Sequence, residues 1–181
     1  MIQTTSTPGW EVAGTGTGGS PAPVPVPPRI RPARPVEAAT LAALAVRSKG
    51  HWPYPPAFLV RFAATLGLTP EVIVANDVQV LVVDGTVCGF YTLLRRGPTV
   101  VLDDLWLEPD AIGHGRGRLL FAHAVARATA TGATTLEWEA EPYAAGFYER
   151  MGGVVVGRVD SPLGRPMPLM RLALGPAVSA E

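Results

Sequence analysis

This chain has very little cysteine, very little lysine and no net charge. Cys88 is the single cysteine in 181 residues. One thiol forms no disulfide within the chain and cannot build a cysteine-based zinc site, so disulfide-stapled and zinc-finger folds are excluded. Lys49 is the only lysine, and every other strongly basic residue is an arginine. Acidic and basic residues balance at 15 each. A nucleic-acid partner is not expected, because phosphate backbones are held by a basic excess on one face. No apolar run approaches the ~20 residues of a spanning helix. The first residues lack the basic-then-apolar order of a secretory signal. The expected setting is therefore cytoplasmic, with no membrane partner.

What the chain does have is enough apolar sequence for a core, 48% of its residues. Its length predicts one domain. Residues 1–28 are rich in Thr, Gly, Ser and Pro and read as a solvated leader. Within it, Pro21 to Pro28 has the composition of a polyproline segment. Residues 29–175 read as the folded domain and 176–181 as a tail. Arg29 to Arg31 predicts a short strand. Helices are expected over Val36 to Lys49, closed by Gly50, and over Ala57 to Leu66, where Phe58, Phe62 and Leu66 share a face. A break at His51 to Pro56 separates them. Gln79 to Val83, Thr86 to Arg95 and Thr99 to Leu107 predict a three-strand meander, with Asp84-Gly85 as its first hairpin turn. A helix follows over Arg116 to Thr131, with Leu120, Phe121, Ala124, Val125 and Ala128 as its buried stripe and Gly132 past its end. Then come a strand over Thr134 to Ala140, a short helix opened by Pro142, and two strands over Val154 to Val159 and Met167 to Leu174. The order predicts a mixed α/β (α+β) domain with a largely antiparallel sheet flanked by helices.

Between the third meander strand and its helix stands Gly113-His-Gly115-Arg-Gly117-Arg118. Alternating glycines at a helix start turn peptide N–H groups toward one point, a place to hold a phosphate. The strand before it is irregular. Val100 and Leu102 share one face, and Leu105 and Leu107 share the other parity. One inserted residue at Asp103-Asp104 would bring both pairs to the same side, so a β-bulge is predicted there.

Two segments resemble the GNAT superfamily of N-acetyltransferases. Leu107 to Gly117 is similar to the family's acetyl-CoA loop, and Ala144 to Gly152 is similar to its Ala-x-x-Phe-Tyr-x-x-x-Gly helix. The resemblance covers Ile30 to Leu174 and implies the GNAT fold, with a splayed, bulged strand pair at the cofactor site. It implies acetyl-CoA as co-substrate and acetyl transfer to a primary amine of a small molecule or protein, by direct attack through a tetrahedral intermediate. Some members dimerise through their last strands, which makes a homodimer one implied assembly. Two positions depart from the family pattern. Ile112 stands where Gln or Arg is usual, and Tyr143 stands where many members carry Asn.

That chemistry assigns roles. Gly113, Gly115 and Gly117 let the backbone approach a diphosphate, with the N–H groups of residues 113 to 118 as donors. Arg116, Arg118 and His114 are side chains able to reach it. The resemblance implies backbone contacts from Leu105, Trp106 and Leu107, and contacts from Ile112, Tyr143 and Phe147. A free N–H near Leu105 would bond the thioester carbonyl. Tyr148 matches the family's acid, the residue that gives the departing thiolate its proton. Phe147 and Met151 pair toward the core, which leaves Tyr148 on another face. Asp103 and Asp104 are the first choice for a base, with Glu139 and Glu141 as rivals. No metal is called for. His123 reads as a surface residue. His51, Trp52 and Tyr54 read equally as the wall of an acceptor pocket or as packing of the helix pair.

Two other readings compete. A non-catalytic acyl-CoA-binding or partner-binding domain would use the same fold. A dinucleotide-binding fold would use Gly113-x-Gly115 with Glu137 as its ribose acid, but Arg118 stands where the third glycine belongs.

Overall fold

The computed structural model describes residues 27–175. The leader expected over 1–28 lies outside them apart from Pro27 and Pro28, as does the tail expected over 176–181. Twelve elements follow in order: β1 (Arg29–Pro32), α1 (Ala38–Lys49), α2 (Pro56–Thr65), α3 (Pro70–Ala75), β2 (Asp77–Val83), β3 (Thr86–Arg96), β4 (Thr99–Leu107), α4 (Arg116–Ala130), β5 (Thr135–Glu139), α5 (Ala145–Arg150), β6 (Val154–Asp160) and β7 (Pro166–Ala173). The strands form a seven-stranded sheet in the order β1-β2-β3-β4-β5-β7-β6. Every neighbouring pair is antiparallel except β4 with β5.

The expected elements are present, and one was not foreseen. Helix α3 is short, and its signal is Thr69-Pro70-Glu71. The Thr69 hydroxyl accepts from the Val72 N–H, and Pro70 takes the first helical position, a cap-and-proline start. The Asp84-Gly85 turn has φ of 48° and 79°, the positive pair that a tight hairpin requires.

Alternation along β2 and β3 sends side chains to opposite faces and builds a core on each. Leu120, Phe121, Ala124 and Ala128 of α4 pack on Leu81, Tyr91, Leu93 and Leu136. Leu41, Leu44 and Ala45 of α1 and Ile73 of α3 pack on Val78, Val80, Val82 and Phe90. Gly89 sets how near α4 comes to the sheet. A Cβ there would stand 2.6 Å from Leu107 Cδ2 and 2.9 Å from Leu120 Cδ1. His123 departs from its expected surface role. It is half-buried on α4, and its Nδ1 lies 2.7 Å from the Tyr91 hydroxyl. The dinucleotide reading fails here too, because Glu137 is ion-paired with Arg171 of the neighbouring strand at 2.7 Å in this antiparallel sheet.

Two features of β4 shape the site. Thr92 pairs with Asp104 while Leu93 pairs with Leu102, so Asp103 is the extra residue of a bulge, as the parity required. The parallel pairing of β4 with β5 runs only from Thr99–Thr135 to Val101–Glu137. Beyond it both strands continue to Leu107 and Glu139 without pairing, and a wedge opens between them.

Near β1, the Arg31 guanidinium holds Glu37 with bonds of 2.9 and 2.7 Å, and the Arg34 N–H adds a third of 2.8 Å. These donors pull the Glu37 carboxyl down to about 2. A carboxyl depressed on folding stabilises the fold above its unfolded value and loses that contribution as pH falls toward the folded one. Stability should therefore fall between pH 4.5 and pH 2 in the wild type. The Glu37→Gln variant should show a shallower fall in urea titrations over that range. Gly89→Ala should cost about 1–3 kcal/mol by overpacking the α4 face, read as a lower urea midpoint at unchanged slope.

Candidate active site

The loop after β4 is built to leave N–H groups free. A 3-10 turn over Pro109–Ala111 uses the Ala111 and Ile112 N–H groups on Glu108 and Pro109. Gly113 and Gly115 then take φ of 86° and 74°, conformations costly for any other residue. Nothing stands within 4 Å of a Cβ placed at either position. Among the described residues, no backbone acceptor meets the N–H groups of Gly113, His114 and Gly115. The first turn of α4 adds its own unpaired donors. The result is an open cradle of peptide donors at the positive end of a 15-residue helix, which suits an anion. Gly117 serves packing instead. A Cβ there would sit 3.4 Å from Leu107 and 3.6 Å from Phe147.

From this cradle a cavity of about 940 Å³ runs into the wedge between β4 and β5. Gly113, Gly115, Gly117 and Arg118 line one end, and Ile112 and Phe147 stand beside them. Leu105, Trp106 and Leu107 form the β4 wall. Tyr143, Tyr148, Asp103, Glu139 and Glu141 line it as well. Three of the expected site residues do not reach it: His114, Arg116 and Asp104 are absent from its wall.

The backbone of β4 presents a donor to the wedge. Glu108 gives its N–H to Cys88 O of β3 at 2.9 Å, whereas Leu107 gives its N–H to the Ser48 hydroxyl at 3.4 Å. N–H groups alternate between the two edges of a strand. Leu105 therefore points its N–H to the same edge as Leu107, where no β5 partner exists.

Tyr148 is the buried member of its helix at 7% exposure, while Phe147 and Met151 are half-buried. Phe147 and Met151 pack against the main core, as the i, i+4 pair predicted, and Tyr148 is buried in that core too. The six-residue helix α5 lies between the main core and the cavity, and Tyr148 meets both. The ring packs edge-on to Phe121 at 5.4 Å and against Trp138 at 5.1 Å. Its hydroxyl makes no hydrogen bond among the described residues. Burial pushes the phenol well above its ordinary value, and the nearby Glu141 carboxylate adds to that.

The bulge divides the two aspartates. Asp103 is exposed and lines the cavity. Asp104 turns away and accepts from Trp106 Nε1 at 2.7 Å. Burial raises its carboxyl. It orients an indole of the cavity wall and has no access to the cavity itself.

The residues not foreseen surround Glu141. Lys49 is 4% exposed and ion-paired with the Glu141 carboxylate, itself 9% exposed. The Tyr54 hydroxyl donates to Glu141 at 2.6 Å, and Arg165 reaches the same oxygen at 3.4 Å. The ammonium lies 5.1–5.9 Å from the ring centres of Tyr54, Phe58, Phe62 and Trp106. Burial pushes Lys49 below its ordinary value, against the pull of Glu141. Trp52 lines the cavity and stacks on the half-exposed Tyr143 at 5.3 Å. The His51–Tyr54 break is thus both wall and packing. The one available signal was the uniqueness of Lys49 at the end of an Ala- and Leu-rich helix.

The free-N–H cradle at a helix start and the wedge it opens into lie within a stretch of sequence that a known family describes. The model of the acetyltransferase (GNAT) family matches residues 40–153. The chain belongs to that family. Peptidyl-lysine N-acetyltransferase YjaB of Salmonella typhimurium is 42% identical over 72 residues, 39% of this chain and 48% of the relative. The chain thus matches about half the length of that curated relative. A GCN5-related N-acetyltransferase from Rhodopseudomonas palustris superposes with a TM-score of 0.71 at 25% identity, covering 84% of this chain and 99% of its own. The PaiA N-acetyltransferase of Thermoplasma acidophilum, solved in complex with coenzyme A, gives 0.69 at 18% identity over 82% of this chain and 99% of its own. These likenesses confirm the GNAT fold expected from the loop and the Ala144 to Gly152 segment.

Breaking a buried ion pair from one side strands its partner. Lys49→Met should cost about 3–5 kcal/mol. Lys49→Met with Glu141→Gln should cost less than Lys49→Met alone, as read by urea unfolding of the full cycle.

Proposed function

We propose that this chain transfers the acetyl group of acetyl-CoA to a primary amine of a small molecule or protein. The observation that carries the reading is one continuous cavity joining the glycine cradle, the β4 wedge and Tyr148. Family membership supports acetyl transfer, and the Thermoplasma neighbour was solved with coenzyme A. The cytoplasmic setting is part of the same proposal and rests on the sequence.

The residues fit such a co-substrate. The open N–H groups from Gly113 onward would hold the diphosphate, with Arg118 adding charge, and their freedom from backbone partners supports that role. Ile112 leaves those peptide donors intact, since its own N–H is already used within the turn. The free edge of β4 offers the Leu105 N–H to the thioester carbonyl, where a fixed donor favours developing negative charge. Tyr148 holds its proton at the closed end of the wedge. Burial raises the phenol, so it stays protonated and available to the departing thiolate. Asp103 takes the amine's proton, because it reaches both cavity and solvent and makes no ion pair among the described residues.

Tyr148→Phe should lower kcat by about 100-fold, within the range for a lost general acid. Coenzyme A affinity by calorimetry should stay within about two-fold. Because burial raises the phenol, it keeps its proton past pH 10, so the wild-type rate should show no loss on the alkaline side attributable to Tyr148. Full turnover in Tyr148→Phe across pH would remove Tyr148 from the mechanism.

A further inference from the structure

The free edge of β4 is not bare along its whole length. Its Leu107 N–H, two residues past the Leu105 N–H, meets the Ser48 hydroxyl at 3.4 Å. Ser48 lies in the last turn of α1, next to Lys49. It is 6% exposed, yet it lines the large cavity together with Leu105, Trp106 and Leu107. A hydroxyl inside a helix ordinarily turns back to a carbonyl of the preceding turn. Thr129 of α4 does so, bonding Val125 O at 2.9 Å. Ser48 makes no such bond. Its oxygen accepts from Leu107, and its own O–H meets no acceptor among the described residues.

Neighbouring polar groups of the wall are already occupied. Trp106 Nε1 bonds Asp104, and Glu141 is held by Lys49 and Tyr54. Ser48 keeps a proton to give. A hydroxyl that accepts an N–H is polarised and becomes the stronger donor. A buried donor at a cavity wall calls for an acceptor inside the cavity.

Spacing identifies that acceptor. Acetyl-CoA carries its thioester on an arm of secondary amides. The thioester carbonyl and the first amide carbonyl are about five bonds apart, close to the two-residue repeat of an extended strand, about 6.6 Å. Leu105 and Leu107 stand two residues apart on the free edge. An arm lying along that edge with its thioester at Leu105 brings its first amide to Leu107, and continues toward the glycine cradle beyond the end of β4. At this second position the strand's own N–H is spent on Ser48, so the Ser48 hydroxyl stands in its place.

We propose that Ser48 Oγ donates to the first amide carbonyl of the acetyl-CoA arm, relaying the Leu107 N–H and fixing the arm in register on β4. The Lys49–Glu141 ion pair anchors the end of α1 beside it and keeps the hydroxyl at one place. This rests on acetyl-CoA as co-substrate and is independent of which amine accepts the acetyl group.

Calorimetry on the purified full chain tests it with two probes. Coenzyme A carries the arm, and 3′-phospho-ADP carries the diphosphate without it. Ser48→Ala should weaken coenzyme A by about five-fold, the size of one neutral hydrogen bond, and leave 3′-phospho-ADP within about 1.5-fold. Equal weakening of both probes overturns the proposal, because Ser48 then only supports the fold around the cradle. Unchanged or tighter binding of coenzyme A in Ser48→Ala also overturns it, because the hydroxyl then merely covers the Leu107 N–H until the arm displaces it. A wild type that binds the two probes equally places the arm off β4 and overturns it as well. A wild type that binds neither removes the acetyl-CoA reading of the cradle, and this assignment with it.

Discussion

The site exists because β4 and β5 stop pairing after Val101 and Glu137. A parallel pair that ran to full length would seal the space into which the cavity opens. The bulge at Asp103 assists the parting. It adds a residue on one side of the ladder, increases the local twist, and turns Leu105 to Leu107 into the wall. From that one break follow the free edge of β4, the exposure of Asp103 and the seat of Tyr148. The glycine cradle sits at the mouth of the same wedge, because β4 ends where the loop begins.

The far side of the wedge depends on a different force. α1, the His51–Tyr54 break, the start of α5 and the β6–β7 connection meet at the Glu141 carboxylate. Lys49, Tyr54 and Arg165 all bond to it. A buried charge is costly when unpaired, so each donor must stay in place for the others to be tolerated. Aromatic faces around the ammonium exclude water and sharpen that demand. This side of the wedge is thereby fixed by electrostatics, and the glycine cradle by backbone geometry.

This difference explains what could be read from the sequence. The cradle was legible because alternating glycines encode a backbone shape directly. The bulge was legible because the parity of Val100 and Leu102 conflicts with that of Leu105 and Leu107. Strand and helix order followed from periodicity and turn residues. The pairing of Phe147 with Met151 toward the core was legible, but the deeper burial of Tyr148 was not, because α5 is too short for periodicity to fix how many of its faces are covered. The Lys49–Glu141 pair joins residues far apart in the chain, and no local pattern announces it. Asp103 and Asp104 are neighbours in sequence yet serve opposite sides of the sheet, a separation that only the completed bulge creates. Helix α3 left a legible start at Thr69-Pro70, but its six residues carry too little apolar repeat to stand out.

The burial of Lys49 has one more consequence. An acyltransferase is exposed to its own acyl donor, and any accessible lysine on its surface is a target for it. Here the only side-chain amine is walled in by four rings and clamped to a carboxylate. Arginine supplies the remaining strong positive charge, and guanidinium groups are poor nucleophiles because they stay protonated. The surface of the described domain thus presents no lysine amine to an acyl donor.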